Sequence, residues 1–356
     1  MTTVLESLNY SLHQALARDE RVYILGEDIL DPYGGAFKVT RGLSRTFPGR
    51  VLTTPISEAG IVGTAAGMAL RGLRPVVEIM FGDFLTLAAD QIVNHAAKFR
   101  WMYNDQVRVP LVIRTPMGGR RGYGPTHSQT LEKLFFGVPG LRILAPNAIG
   151  DPGALLLQAI LLDDDPVLFI ENKLLYACPV ALGQTTGPSW MEDFEIQTVP
   201  RMPGTNPLGT VDQPGASPKE YAPSFYLKIR GAPPASLTIA TYGYMAEIAR
   251  QAAIRLAFES EIFSEMIVMS QLIPMDITPV LESVSRTTRL LILEEGTLTA
   301  GWSAEVAAQL LERPGGKIHS FRRVAALDLP IPASVALEDI VLPSEEVIVK
   351  TAQMMV

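Results

Sequence analysis

Cysteine is almost missing from this 356-residue chain: Cys178 stands alone. A single thiol excludes an internal disulfide framework and fits a reducing compartment. Cys178 itself reads as a small buried apolar side chain. Positive charge is also in deficit. Thirty Lys and Arg stand against 37 Asp and Glu, a net charge of −7. That argues against nucleic acid as a partner, because phosphate binding needs a basic face. No apolar run reaches the length of a membrane span. The N-terminal stretch carries Glu6 and no basic region ahead of a long apolar core, so no secretory signal is expected. Together these absences lead to the expectation of a soluble, cytoplasmic protein. Charged residues are only 19% of the chain and hydrophobic ones 47%. A large subunit interface is the simplest use for that apolar surplus.

The length allows two domains of ordinary size. Leu5, Leu8, Leu12 and Leu16 recur at helical spacing near the start. Short apolar runs then alternate with helical patterns: strands are expected at 22–26, 51–54, 74–80, 109–114, 142–145 and 167–171. Helices are expected after Glu58, over 85–99, and from Asp151-Pro152, where an Asp cap precedes a first-turn Pro. Such alternation predicts a parallel sheet covered on both faces. Residues 184–234 break the rhythm with Pro188, Pro200, Pro203, Pro207, Pro214, Pro218, Pro223, Pro233 and Pro234, and read as a linker or surface excursion. Strand and helix patterns resume from Leu237. The expected fold class is therefore α/β, with two three-layer α/β/α domains at 1–183 and 235–356 joined by the Pro-rich segment 184–234.

Three features of the first half converge on chemistry. Thr54-Pro55-Ile56-Ser57-Glu58 places one carboxylate where a strand hands over to a helix of very small residues, Ile61 to Ala69. Such a helix lets another backbone or a flat ligand approach closely. Alone, Glu58 reads as a partner for the helix dipole. Glu78-Ile79-Met80-Phe81-Gly82-Asp83-Phe84 then puts an aromatic pair at the carboxyl end of a strand, where open α/β sheets hold their ligands. Finally, Met117 to Gln129 is a Gly-rich, basic loop, read as mobile, that ends in His127, a residue suited to proton transfer.

These residues fit a known pattern. The chain resembles the β subunits of the thiamine diphosphate-dependent 2-oxo acid dehydrogenases of the pyruvate and branched-chain type, in the transketolase-like superfamily. The resemblance runs through Gly26-Glu27-Asp28, Tyr33-Gly34-Gly35-Ala36-Phe37, Thr54 to Glu58, Gly72-Leu73-Arg74-Pro75, Asp90 to Asn94, His127-Ser128-Gln129 and Pro139-Gly140-Leu141. It continues through Asp165-Pro166-Val167 and, more weakly, Pro274-Met275-Asp276, Glu294-Glu295-Gly296 and Pro330-Ile331-Pro332. It implies a transketolase-like pyrimidine-binding domain followed by a transketolase C-terminal-type domain. It also implies that Glu58 bonds the ring nitrogen of the cofactor's aminopyrimidine. Phe84 would pack on that ring, Ile56 and Met80 would line the pocket, and His127 would meet the substrate or shuttle protons.

The resemblance carries further expectations. A potassium site would be built from Leu111, Ala159, Ile160, Asp163 and Asp165, while an ordinary solvated turn is the alternative reading of the acidic triplet. The chain has no Gly-Asp-Gly and Asn motif for magnesium and diphosphate. Mg2+ would therefore be held by an α subunit, in an assembly of two α and two β chains. The implied reaction is decarboxylation of a 2-oxo acid with transfer of the acyl group to a lipoyl carrier, on a lipoyl acyltransferase core. Two other readings stay open: a specialised thiamine-dependent decarboxylase or carboligase without lipoyl transfer, and a non-catalytic scaffold subunit.

Overall fold

The computed structural model describes residues 1–184, 186–200, 221–313 and 318–356. The first helix, Val4–Arg18, starts on a capping box. The Thr3 hydroxyl accepts from the Glu6 amide, and the Glu6 carboxylate accepts from the Thr3 amide at 2.8 Å. The first half contributes strands β1 (Val22–Gly26), β2 (Val51–Thr53), β3 (Arg74–Glu78), β4 (Val112–Met117), β5 (Arg142–Leu144) and β6 (Val167–Asn172). The second contributes β7 (Phe194–Val199), β8 (Ser224–Ile229), β9 (Leu237–Tyr242), β10 (Ser264–Met269), β11 (Gln271–Ile273), β12 (Arg289–Thr297) and β13 (Ser320–Ala326).

Two sheets result. The seven-stranded one has the order β11-β5-β6-β4-β3-β1-β2, and the six-stranded one β13-β12-β9-β10-β8-β7. Strands β3, β4 and β6 are buried at every position, as expected for parallel strands covered on both faces. One face of the first sheet packs on helices Val4–Arg18 and Pro152–Leu162 through Leu8, Leu12, Leu156 and Phe169. The other face shares a continuous apolar core with the second sheet, from Val77, Ile113 and Leu168 to Ile267, Leu290 and Ile292. Helices Met245–Ser260 and Glu345–Gln353 cover the far face of the second sheet through Ala249, Leu256, Ile348 and Val349. No helix among the described residues is long and apolar enough to cross a membrane.

Three expectations need correcting. The Pro-rich stretch is more than a linker. Its flanks form the antiparallel pair β7–β8, and β8 joins β10 of the second sheet. Phe194, Phe225 and Leu227 are the inward residues that drive this, a signal that the surrounding prolines obscured. The rest of that stretch, Thr185 and 201–220, lies outside the described residues. Strand β11, which follows directly on β10 in the second half, pairs antiparallel with β5 of the first sheet. Its backbone is fastened there by a bond from the Ala145 amide to Ser270 O. The helix expected over 85–99 is three pieces: a 3₁₀ turn at Gly82–Ala88, a widened turn at Gln91–Ala96 and a short α-helix at Ala97–Met102. Within it Gln91 lies so close to Gly63 that a Cβ there would stand 3.1 Å from its Oε1.

Candidate active site at the carboxyl edge of the first sheet

Strand order 2-1-3-4 reverses direction at β1, and the carboxyl ends of β1 and β3 flank the resulting crevice, the usual ligand position in such sheets. Glu58 opens the helix Glu58–Leu70 just beyond β2. Ser57 caps that helix, its Oγ accepting from the Gly60 amide at 3.3 Å. Glu58 is only 5% exposed, yet among the described residues its carboxyl has no hydrogen-bond partner. Beside it lies Glu27, just past β1, which the sequence reading did not single out. Burial pushes the Glu27 carboxyl up from its ordinary value, and the neighbouring charges of Glu58 and Asp28 push it further, against a bond from the Ser57 amide. Its Oε1 is buried without a partner. A buried carboxyl with open hydrogen-bonding capacity fits the ring nitrogen of an aminopyrimidine, since such groups are normally satisfied.

Past β3, Phe81 and Phe84 meet edge to face at 5.9 Å. His127 stands against both, at 4.7 Å from Phe81 and 5.3 Å from Phe84 between ring centroids. The structure thus brings Phe84 and His127 together. Met80, between β3 and this pair, is half-buried, whereas Ile56 projects into solvent at 85% exposure. The imidazole Nδ1 of His127 lies 3.0 Å from the Thr126 hydroxyl.

The glycine-rich loop is tied down rather than free. Gly119 donates to Glu295 at 2.7 Å, and Arg120 and Gly122 donate to Glu338 at 2.6 and 3.1 Å. Both carboxylates come from the second half of the chain: Glu295 lies in the Glu294-Glu295-Gly296 block, to which no role was attached, and Glu338 lies in no such block. Gly118, Arg120, Gly122 and Gly124 all have positive φ, so the glycines supply the conformation this path needs. Asp83 accepts from the Gln129 amide and side chain at 3.2 and 2.8 Å, fixing the far end.

Under the site, three neighbouring strands carry a buried charge cluster. Arg114 donates to Glu78 on β3 at 2.8 Å and twice to Glu171 on β6, both bonds 2.8 Å. The Tyr176 hydroxyl adds a bond to Glu171 at 2.6 Å. Burial holds the Glu78 carboxyl above its ordinary value despite the pull of Arg114. Gly35 rests on this cluster: with φ at +77°, a Cβ there would meet Glu78 Oε1 at 2.6 Å.

The acidic corner differs from the potassium site expected of Leu111, Ala159, Ile160, Asp163 and Asp165. The backbone oxygens of Ile160 and Asp163 both accept from the Arg74 guanidinium, the first at 2.7 Å. Arg142 pairs with the Asp163 carboxylate at 3.0 Å, and Arg100 with Asp165 at 2.8 Å. Leu111 O accepts from the Val167 amide. Guanidinium groups neutralise this corner. A potassium ion about 4 Å from Arg74 would meet a repulsion of ~4 kcal/mol at an effective dielectric near 20. Replacing potassium by sodium in the buffer is therefore expected to leave the thermal midpoint unchanged. A sodium-specific loss of stability would show that a cation does bind.

Residues 2–179 match the family described as transketolase, pyrimidine binding domain, and residues 229–348 match transketolase, C-terminal domain. A solved split-gene transketolase, an inactive β4 tetramer, shares the fold with a TM-score of 0.72 over 100% of this chain and 98% of its own, at 17% identity. Fold and carboxyl-edge site thus define a transketolase-like protein. The pyruvate dehydrogenase E1 component β subunit of Rickettsia bellii is 35% identical over 96% of this chain and 95% of its own. A mitochondrial counterpart from Arabidopsis thaliana is 35% identical over 99% and 88%. The β subunit of acetoin:2,6-dichlorophenolindophenol oxidoreductase from Cupriavidus necator is 34% identical over 98% and 95%. The chain belongs to the family of pyruvate dehydrogenase E1 component β subunits, the β components of thiamine diphosphate-dependent 2-oxo acid dehydrogenases.

Proposed function

We propose that this chain supplies the aminopyrimidine half of a thiamine diphosphate site and, with an α subunit, decarboxylates a 2-oxo acid of the pyruvate or branched-chain class. The observation that carries this is the buried Glu58 carboxyl, with no hydrogen-bond partner among the described residues, at the head of a helix that packs on the Gly82–Ala88 turn carrying Phe84. When bound, the cofactor supplies the carbon nucleophile and the electron sink for loss of carbon dioxide. Glu58 holds and exchanges a proton at the ring nitrogen, which sets the tautomer. Phe84 and Met80 supply the apolar wall that holds the ring. His127 meets the substrate carboxylate or moves protons during transfer of the acyl group to a lipoyl carrier on a lipoyl acyltransferase core.

The α subunit holds magnesium and the diphosphate, in an assembly of two α and two β chains that works in the cytoplasm. Its docking surface is supported by the outer stripe of the Glu58 helix, where Ala59, Gly60, Thr64 and Gly67 are exposed. Small residues there let another helix come close. Ile56, Trp101 and Met102 are large apolar side chains that stand 85%, 77% and 62% exposed on this chain, and burying them against a partner would be favourable.

A second reading is a specialised thiamine-dependent decarboxylase or carboligase of a dedicated pathway without lipoyl transfer, and the near-equal identity to the acetoin enzyme supports testing a substrate outside the 2-oxo acids. Both are tested by co-purifying the two chains with thiamine diphosphate and magnesium. A panel of 2-oxo acids and acetoin is then assayed with and without a lipoyl acceptor. Carbon dioxide release from a 2-oxo acid, with acyl transfer and only when both chains are present, is the expected result. Turnover of acetoin alone would favour the second reading and overturn the first.

A further inference from the structure

Lys173 is almost sealed from water, at 2% exposure. It follows directly on β6, and its amide donates to Met117 O at 3.1 Å. Its Nζ donates to Gly118 O and to His127 O, both at 2.6 Å. Those two carbonyls stand at the two ends of the glycine-rich loop. One ammonium therefore closes the loop at its base. Its Nζ also lies 5.4 Å from the centre of the Phe81 ring and 5.8 Å from that of Tyr123, within reach of a cation–π attraction.

The remaining charges facing it are Asp83, Glu295 and Glu338 of opposite sign and Arg121 of like sign. Burial lowers the ammonium to about 8. Even the neutral amine would retain two N–H groups for the two carbonyls. The loop is thus gripped on its carbonyl side by one cation of the first half. On its amide side it is gripped by two carboxylates of the second.

We propose that Lys173 is the positioning residue for His127. By fixing the carbonyls of Gly118 and His127 it sets the direction in which the imidazole meets the substrate. This rests on the role of His127 given above. A lysine suits the task because its three tetrahedral donors can serve two converging carbonyls and still face an aromatic wall. A methionine of similar length would leave both carbonyls without this donor.

The test uses the reconstituted two-chain complex with thiamine diphosphate and magnesium. K173M is expected to lower acyl transfer to a lipoyl acceptor ~10-fold or more, as misplacement of a reacting group does. In an H127A background K173M should add less than about 2-fold to the loss of acyl transfer, because the residue it positions is already gone. K173R, which keeps the charge and the donors, should recover part of the rate. Amide hydrogen exchange should speed up over residues 118–127 in K173M and stay unchanged elsewhere.

Equal losses in the wild-type and H127A backgrounds would overturn the proposal, as would unaltered exchange of the loop. If K173M does not fold, K173Q takes the same measurements. A wild-type complex that releases no carbon dioxide from any 2-oxo acid would instead sink the functional reading. The exchange experiment would still decide whether Lys173 pins the loop.

Discussion

Replacing Glu58 with alanine lowers carbon dioxide release by the two-chain complex on the order of 10³-fold, the scale on which removing a positioned proton-transfer group acts. The reason is local. The helix Glu58–Leu70 starts at this residue, so the carboxyl is held at the carboxyl edge of the sheet. Its surroundings offer it no partner among the described residues, so nothing nearby can replace it. Glu27 lies beside it, but it belongs to the end of β1 and one of its carboxyl oxygens already accepts from the Ser57 amide, leaving only Oε1 unpaired. Glu58→Gln keeps the shape and loses the acid, and the same order of loss is expected if proton exchange at the ring nitrogen is what matters. Assembly with the α subunit should survive both changes, because the exposed small-residue stripe of the helix is untouched. Measuring carbon dioxide release beside the size of the complex separates the two. Full activity in the alanine variant would remove Glu58 from the site.

That expectation was readable before any coordinates. The handover from Thr54-Pro55 to a Gly- and Ala-rich helix marks a helix that opens at Glu58, and the structure has it there, because capping and strand ends are local properties. Phe84 and His127 were legible for the same reason: each follows a strand that ends in a glycine-containing loop. What remained hidden depends on contacts between distant segments. Glu295 and Glu338 lie 176 and 218 residues from the loop amides they hold, and no spacing rule reaches that far. Lys173 closes a short local run but acts on residues 46 and 55 positions earlier. The potassium expectation meets a similar limit. An acidic triplet at a helix end shows its negative charge in the sequence, but not which arginines arrive to meet it. Arg74 comes from 86 residues earlier to reach Ile160 O. Strand β7 escaped notice because prolines nearby masked a modest alternation of Phe194 and Ile196.

Arg114→Met is expected to destabilise the protein by about 3–5 kcal/mol, the cost of leaving buried charge without its partner. Glu78 and Glu171 share this single guanidinium, and Arg114 and Glu171 are 1% and 2% exposed. Without it two carboxylates face one another in the core, and among the described residues only the Tyr176 hydroxyl remains to one of them. The loss of packing is small by comparison, because methionine fills much of the same space. A triple variant tests that comparison: Arg114→Met with Glu78→Gln and Glu171→Gln removes every charge of the cluster at once. It should recover most of the lost stability in urea unfolding, since apolar or neutral replacements of whole buried ion clusters are often tolerated. Equal losses in the single and triple variants would place the cost in packing and reject the electrostatic account. The cluster also supports the site. Tyr176 touches Phe37, and Phe37 touches Phe81, the ring that stands 4.7 Å from His127. The triple variant, although refolded, is therefore expected to lose more acyl transfer than carbon dioxide release, because the aromatic wall behind His127 has lost its fixed base.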